Sequence, residues 1–176
     1  GYRIRVVSSQ LAKYFEKNAD DISIDECVSE TFIWNGSQND GDWNNAANWT
    51  PSGVPGSSSE VIISGTTSQP NLSTNVSCAR ITLKGTAFPT IGSGFRLNVK
   101  RDFAATGNQV FGGSGTVVFN GTVMQTISGT VRLTNVEFAN TSSAGVVIPA
   151  LSTLKIEPGS VVTFLPDSKL TNDGEF

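Results

Sequence analysis

Few side chains in this 176-residue chain are of the types that carry out catalysis. The chain has no histidine, which removes Ser-His and Cys-His nucleophile pairs and most zinc sites. Asp102 is the only acidic residue between Val61 and Val136, and with Lys100 and Arg101 it forms the one charged cluster of that stretch. A polysaccharide hydrolase needs two closely placed carboxylates. We therefore expect a solvated corner here rather than an active site, and a chain that is not an enzyme.

Oxygen atoms suited to a metal ion occur together in one short loop. Asn39, Asp40 and Asp42 surround Gly41, and carboxylate and amide oxygens are ligands that calcium prefers. Their spacing does not match an EF-hand loop. The alternative is a set of Asx turns, in which these side chains accept hydrogen bonds from nearby backbone. No other metal ion and no cofactor is predicted.

The three tryptophans of the chain, Trp34, Trp43 and Trp49, lie within sixteen residues of one another. They are surrounded by Asn, Asp and Gly, which are typical of a shaped loop. If the indole rings are buried, they form a structural cap that closes the first coil of a repeat structure. If they are exposed, they form a platform for stacking sugars, and the chain is a carbohydrate-binding module.

The chain has two cysteines, Cys27 and Cys78. A disulfide between them would close a loop of about 50 residues and contribute roughly 4 kcal/mol on the chain-entropy model. Two buried free thiols are the alternative, since two cysteines do not make a disulfide framework.

A recurring pattern in residues 61–176 predicts the fold. Apolar residues recur in pairs at i and i+2, separated by Gly, Asn, Ser and Thr, and each pair points to one side of its strand. Stacked coils would join the pairs into one apolar column, which is the construction of an all-β parallel solenoid. A β-sandwich is the alternative, because Asn120-Gly121 is a favoured hairpin turn. The pairs are Ile81/Leu83, Leu97/Val99, Val117/Phe119, Val131/Leu133, Val146/Ile148, Leu154/Ile156 and Val162/Phe164.

Three segments are predicted along the chain. Residues 61–176 are the β-helix repeats, truncated at the C-terminus, and residues 31–60 are a Trp/Asn/Gly-rich N-terminal cap. Residues 1–30 resemble the trailing strands of a preceding immunoglobulin-like or fibronectin III-like domain. Both ends look cut, so we expect a fragment of a longer polypeptide.

Within residues 1–30 the sequence predicts two strands and a helical stretch. Residues 2–8 alternate polar and apolar side chains, the period of a half-buried strand, and residues 22–24 form a second short strand. Residues 11–17 between them could form one or two helical turns.

The composition of the chain limits the classes of partner that it is expected to bind. The net charge is −3 and the pI is about 4.9, which gives no basic surface for nucleic acid or anionic lipid. No apolar run reaches the ~20 residues that a membrane helix requires, so we expect no membrane insertion. Only 15% of residues are charged, and the abundance of Gly, Ser, Thr and Asn is typical of extracellular β-repeat proteins.

Several phrases of the sequence resemble a class of large Bacteroidetes surface proteins. The tryptophan phrase, which begins Ile33-Trp34-Asn35-Gly36, is similar to the order T-W-N-G, D-W-N-x-x-x-N-W, G-V-P and V-x-I of those proteins, and later phrases resemble their repeats. The phrases occupy residues 32–36, 41–51, 53–56, 61–63, 115–122, 125–129, 133–138 and 170–176.

The resemblance implies a right-handed parallel β-helix in a secreted or outer-membrane-displayed, adhesin-like protein. Many such proteins are exported by the type IX secretion system, in the gliding-motility class among others. The expected function is a structural or adhesive segment, a rigid β-helical stalk at the cell surface. The partners open to it are surface glycans, host or substratum surfaces, and export machinery that carries the chain as cargo.

Overall fold

The computed structural model describes residues 30–176 and, before them, two short strands, β1 (Arg5–Val7) and β2 (Ala12–Tyr14). These two strands pair antiparallel. The prediction of helical turns over residues 11–17 is wrong at Ala12–Tyr14, because this backbone pairs with β1 instead of closing local hydrogen bonds. The predicted strand at residues 22–24 lies outside the described residues, and the likeness of residues 1–30 to an immunoglobulin-like domain stays a prediction.

Residues 30–176 are built almost entirely from short β-strands, and they contain no α-helix. One 3₁₀ turn occurs at Ala46–Asn48. The strands are β3 (Thr31–Trp34), β4 (Trp49–Thr50), β5 (Glu60–Ile63), β6 (Asn71–Leu72), β7 (Val76–Cys78), β8 (Arg80–Leu83), β9 (Thr90–Ile91), β10 (Arg96–Val99), β11 (Phe103–Ala105), β12 (Val110–Phe119), β13 (Gln125–Phe138), β14 (Val146–Ile148), β15 (Thr153–Ile156), β16 (Val162–Phe164) and β17 (Leu170–Asn172).

The strands stack as a parallel β-solenoid of about five turns, with three faces. Face A contains β3, β5, β8, β11, the start of β13, β14 and β17. Face B contains β6, β9, the start of β12, the middle of β13 and β15. Face C contains β7, β10, the ends of β12 and β13, and β16.

The predicted all-β solenoid is therefore confirmed, and the β-sandwich alternative is not. Every ladder from β5 onward is parallel, whereas a sandwich made of hairpins requires antiparallel pairs. Asn120-Gly121 does not form a hairpin: it lies at a corner between β12 and β13, which pair in parallel one coil apart.

The apolar pairs form continuous inward-facing columns. On face A, Val61 pairs in register with Ile81, Ile81 with Phe103, and Phe103 with Ile127. All four side chains are at most 1% exposed. After the first coil, the coil length varies from 19 residues (Val117 to Val136) to 26 residues (Val136 to Val162). The columns stay aligned because corner loops absorb the difference.

Face C carries an aromatic column. Phe119 pairs with Phe138, and Phe138 with Phe164. The rings stack with centroids 5.7 Å and 4.9 Å apart and interplanar angles of 14° and 22°. Phe119 and Phe138 are fully buried, whereas Phe164 on the last coil is 51% exposed. Each ring is therefore covered by the ring of the following coil, except the last.

Gly129 shows how tightly adjacent coils approach each other. It lies within β13, where the chain turns from face A to face B, and its φ is +75°. A Cβ added there would lie 1.9 Å from the carbonyl oxygen of Ala105 in the coil before. Gly94 has a similar φ of +79°, but nothing lies within 4 Å of an added Cβ.

These two glycines give a matched test of coil stacking. Gly94→Ala should lower the free energy of unfolding by about 1–2 kcal/mol, the cost of a left-handed conformation for an L-residue. Gly129→Ala should cost clearly more, because the methyl group also forces two coils apart. Urea unfolding followed by circular dichroism measures both. Equal losses for the two variants would contradict this coil spacing.

Candidate functional site

The tryptophan segment of residues 31–59 forms the first coil and closes one end of the solenoid. Trp34 ends β3 and Trp49 begins β4, and these two strands pair antiparallel. Trp43 lies in the loop between them. The three side chains are 2%, 0% and 2% exposed for Trp34, Trp43 and Trp49. This is the structural cap that the sequence predicted.

The ring of Trp49 is at the centre of the cluster. Its centroid lies 4.9 Å from that of Trp34 and 4.7 Å from that of Trp43, at interplanar angles of 81° and 73°. Phe32 adds a third edge-to-face contact at 6.4 Å. Edge-to-face pairs place the positive edge of one ring against the negative face of another, so the rings form one interlocked unit.

Two of the three indole N–H groups have partners inside the protein. The Nε1 of Trp49 donates to the backbone oxygen of Trp43 at 2.7 Å, and the Nε1 of Trp34 donates to that of Ser68 at 2.8 Å. The second bond ties the first coil to the loop after β5. The Nε1 of Trp43 is buried without a partner. With their faces packed together, the rings offer no platform for a sugar.

A polar loop of Asn and Asp supports the ring cluster. Asn48 is fully buried, and its Nδ2 donates to Asp40 Oδ1 at 2.6 Å and to the backbone oxygen of Asp42 at 3.0 Å. Its Oδ1 accepts from the backbone N–H of Gln38 at 3.0 Å. A buried amide that uses both ends in this way fixes the loop in one conformation.

The candidate calcium ligands take part in the same loop. Asp40 Oδ1 accepts from the backbone N–H of Asp42 at 3.0 Å, and its Oδ2 accepts from the Nδ2 of Asn45 at 2.7 Å. Asp42 Oδ1 accepts from the backbone N–H of Asn44 at 2.9 Å, and Asn39 has a left-handed φ of 55°. These oxygens bond amide donors in Asx turns, the alternative given by the sequence. Within residues 30–176, no group of three or more His, Cys, Asp or Glu could hold a metal ion.

These hydrogen bonds set the acidity of Asp40. The bond from the backbone of Asp42, followed by those from the side chains of Asn45 and Asn48, holds the pKa of Asp40 below its ordinary value. All three donors stabilise the charged form.

Cys78 belongs to an apolar column of face C, directly in register with Val99. Its side chain is fully buried, and burial raises the pKa of the thiol to about 12. Cys27 lies outside the described residues, so the disulfide between Cys27 and Cys78 stays a prediction.

Asp102, in the charged cluster singled out by the sequence, connects three successive coils. Its Oδ2 accepts from the Nε of Arg80 at 3.1 Å in the coil before. Its Oδ1 accepts from the backbone N–H and the hydroxyl of Thr126, at 2.9 Å and 2.7 Å, in the coil after. Both carboxylate oxygens are thus engaged in holding coils together.

Two further ion pairs join coils on the outer surface. Arg96 pairs with Glu137, and the Nε of Arg132 pairs with Glu157 Oε1 at 2.7 Å. The hydrogen bond from Arg132 is the largest influence that lowers the pKa of Glu157. These pairs are partly solvated, so each contributes modestly.

Sequence reasoning missed a buried amide pair, formed by Gln125 at the start of β13 and Asn140 just after its end. Gln125 and Asn140 are both fully buried. The Nε2 of Gln125 donates to the backbone oxygens of Val99 and Arg101 at 2.9 Å and 2.7 Å, and its Oε1 accepts from Asn140 Nδ2 at 2.8 Å. Val99 and Arg101 lie at one corner of the coil before, and the Oε1 of Gln125 also accepts from the backbone N–H of Gly121 at 2.9 Å in its own coil. The sequence gives only a weak signal for this burial. Gln125 begins a strand with alternating inward and outward side chains, and a polar residue at its start is expected to face solvent.

The ring cluster predicts how tryptophan fluorescence should behave. Emission of the native protein should be blue-shifted and resist acrylamide, because the three indoles are buried. Trp49→Ala should cost about 3–5 kcal/mol of unfolding free energy, because it removes the central ring. Phe88→Ala is the control: its ring is 58% exposed, and a loss within about 0.5 kcal/mol is expected. Red-shifted, quenchable emission would contradict the buried cap.

The lowered pKa of Asp40 predicts a pH dependence of stability. A carboxylate whose pKa is lower in the folded state stabilises above its unfolded pKa, and this contribution is lost as pH falls through the folded value. Asp40→Asn should therefore be less stable than the natural chain at neutral pH, and the gap should close below about pH 4. Thermal unfolding across this pH range measures it.

Asn45→Ala is the comparison variant for Asp40→Asn. It removes one donor to the carboxylate and keeps the charge, so its gap to the natural chain should also close in acid, though only in part. A gap for Asp40→Asn that stays constant through the acid range would refute the electrostatic role of Asp40.

Comparison with protein families places the cap and the coils after it in one unit. A family profile with the description Domain of unknown function (DUF8693) matches residues 33–144, from β3 to the loop that follows β13. Comparisons with curated proteins and with solved structures give no match. Since the matched residues make up more than half of the sequence, the chain belongs to the family of the domain of unknown function DUF8693.

Proposed function

We propose that the chain is a structural and adhesive segment of a large bacterial protein that is secreted or displayed on the cell surface. In this role it is a stiff β-helical stalk without enzymatic activity. The observation that carries the proposal is the unbroken apolar column through successive coils, closed at one end by the tryptophan cap. Each inner coil is covered on both sides by its neighbours, which resists bending and local opening.

The outer surface supports the same role. The coils are joined there by the ion pairs of Asp102, Glu137 and Glu157. Thr, Ser and Asn are the commonest exposed residue types in residues 30–176. A repeated polar surface suits weak contacts that gain strength from their number. Surface glycans and host or substratum surfaces are the partners proposed for it.

The absence of catalysis is part of the proposal. Asp102 is the single acidic residue between Val61 and Val136, and both of its oxygens are engaged by Arg80 and Thr126. The next carboxylates along the solenoid, Glu137 and Glu157, pair with Arg96 and Arg132, so we expect no general acid and base pair for glycoside cleavage. No helix among the described residues is long and apolar enough to span a membrane.

The resemblance of the tryptophan phrase and of the later repeats to Bacteroidetes surface proteins supports the proposed location outside the cell. It also supports export through the type IX system, with the chain as cargo. A carbohydrate-binding module is not proposed, because Trp34, Trp43 and Trp49 are at most 2% exposed and their faces pack against one another.

Labelling of intact source cells tests the proposed location and role. An antibody against the folded chain should label unpermeabilised cells, and brief protease treatment of whole cells should remove the label. Cells in which residues 31–176 are deleted in frame should still export the remaining protein and should attach less to glycan-coated or abiotic surfaces.

A cytoplasmic protein labelled in parallel is the control for intact envelopes. Label that appears only after permeabilisation would refute the location outside the cell. Unchanged attachment of the deletion strain, with export intact, would refute the adhesive stalk.

A further inference from the structure

Charge is unevenly distributed along the solenoid, although the chain as a whole is acidic. Residues 61–136, which form the middle coils, contain six basic residues and one acidic residue, Asp102. Residues 137–176 contain five acidic and two basic residues. The expectation of no basic surface, drawn from the net charge of −3, therefore does not describe the middle coils. The six basic residues are Arg80, Lys84, Arg96, Lys100, Arg101 and Arg132.

Three of these basic side chains border face A and are open to solvent. Lys84 is exposed directly after β8, and Lys100 is partly exposed on the corner between β10 and β11. Within residues 30–176 neither ammonium group forms an ion pair. Arg80, at the start of β8, donates its Nε to Asp102, and 36% of its side chain is exposed. These three cations are therefore available to an anion from outside the chain.

The outer surface of face A next to these cations is made of small side chains. Thr82 lies in register with Ala104, and Ala104 with Ser128, and all three are partly exposed. Since Lys84 follows Arg80 by four residues along an extended strand, their Cα atoms are roughly 13 Å apart. The cations thus border a flat strip, about one strand wide, on which an extended polymer can lie.

An exposed aromatic ring lies on the same corner loop as Lys84. Phe88 is 58% exposed, and two hydrogen bonds fix its loop. The backbone N–H of Phe88 donates to Gln69 Oε1 at 3.0 Å, and the Nε2 of Gln109 donates to the backbone oxygen of Gly85. A ring held in this way loses little conformational entropy on binding, and its face can pack against the C–H groups of a sugar.

We propose that the outer surface of face A, bordered by Arg80, Lys84, Lys100 and Phe88, binds an acidic polysaccharide. Carboxylates of the polymer pair with the three cations, and a sugar ring packs on Phe88. The hydroxyl side chains of the strip exchange hydrogen bonds with sugar hydroxyls. This inference rests on the adhesive role proposed above and names the class of glycan that the stalk contacts.

The same surface is less suited to a nucleic acid or to a membrane. Single-stranded nucleic acid stacks successive bases on several aromatic side chains, and this surface has one, Phe88. An anionic bilayer attracts clusters of about four to eight Lys and Arg, whereas three cations are available here. The combination of a few separated cations, hydroxyl groups and one ring therefore favours a charged sugar polymer.

Binding of the purified chain to immobilised polygalacturonate tests the proposal, with dextran as the neutral polysaccharide. The chain should bind polygalacturonate and not dextran, and about 0.5 M salt should remove the binding because it screens exposed charges. Lys84→Gln combined with Lys100→Gln should weaken binding roughly five- to tenfold. Phe88→Ala should weaken binding by a smaller factor that does not depend on salt, because its contact is not ionic.

Lys155→Gln combined with Lys169→Gln is the matched control. Both lysines are exposed in coils beyond this surface, and the two double variants have the same net charge. The control should bind polygalacturonate as the natural chain does. Blue-shifted tryptophan emission from the cap checks that each variant is folded.

Equal losses in the two double variants, no binding to polygalacturonate, or equal binding to dextran would each overturn the proposal. Tighter binding to single-stranded DNA or to phosphatidylglycerol vesicles than to polygalacturonate would overturn it as well. None of these outcomes refutes the adhesive stalk, which is tested separately by the attachment of the deletion strain.

Discussion

In-register stacking of alternate side chains is the constraint on which the rest of this structure depends. A coil of about twenty residues cannot bury its own apolar side chains, because its interior is only one layer deep. Val61, Ile81, Phe103 and Ile127 are buried because each lies between equivalent residues of adjacent coils. A shift of one residue in any ladder would turn a whole set of apolar side chains to solvent. The correct strand register is therefore required for the core to form.

The same constraint creates a problem at each end of the stack. The first coil solves it with three tryptophans whose rings fill the space that a preceding coil would otherwise fill. The segment between Trp34 and Trp49 contains almost no regular structure, so side-chain amides supply hydrogen bonds that a strand ladder supplies elsewhere. Asn48 connects Gln38, Asp40 and Asp42 in this way. Large apolar rings and a dense amide network are thus two parts of one cap.

The sequence predicts the repetitive part of the fold well because its signal is local. Pairs such as Val117/Phe119 and Val131/Leu133 face inward as their i, i+2 spacing requires. Which strand pairs with which in the next coil cannot be predicted from a local pattern, because the partners are about twenty residues apart in the sequence. The long strands β12 and β13 run through the corners between faces, and their length follows from pairing with coils on either side. Ala12–Tyr14 forms a strand because it pairs with Arg5–Val7, although its composition also allows a helix.

The site residues illustrate a different limit. Asp40, Asp42 and Asp102 are the types that catalysis and metal binding use, and composition alone cannot show whether their oxygens have other partners. The structure gives Asp40 amide donors, and gives Asp102 an arginine and a threonine in neighbouring coils. Gln125 is the converse case. The sequence assigned this polar side chain no role, yet it is fully buried, because its amide donates to the corner carbonyls of Val99 and Arg101.

The polar groups of this chain therefore act mainly on the chain itself. Asp102 bridges coils, Asn48 and Asp40 hold the cap, and Gln125 with Asn140 closes a corner. Because these polar side chains bond within the chain, the contacts that the proposed stalk role requires fall to the repeated outer surface of the coils.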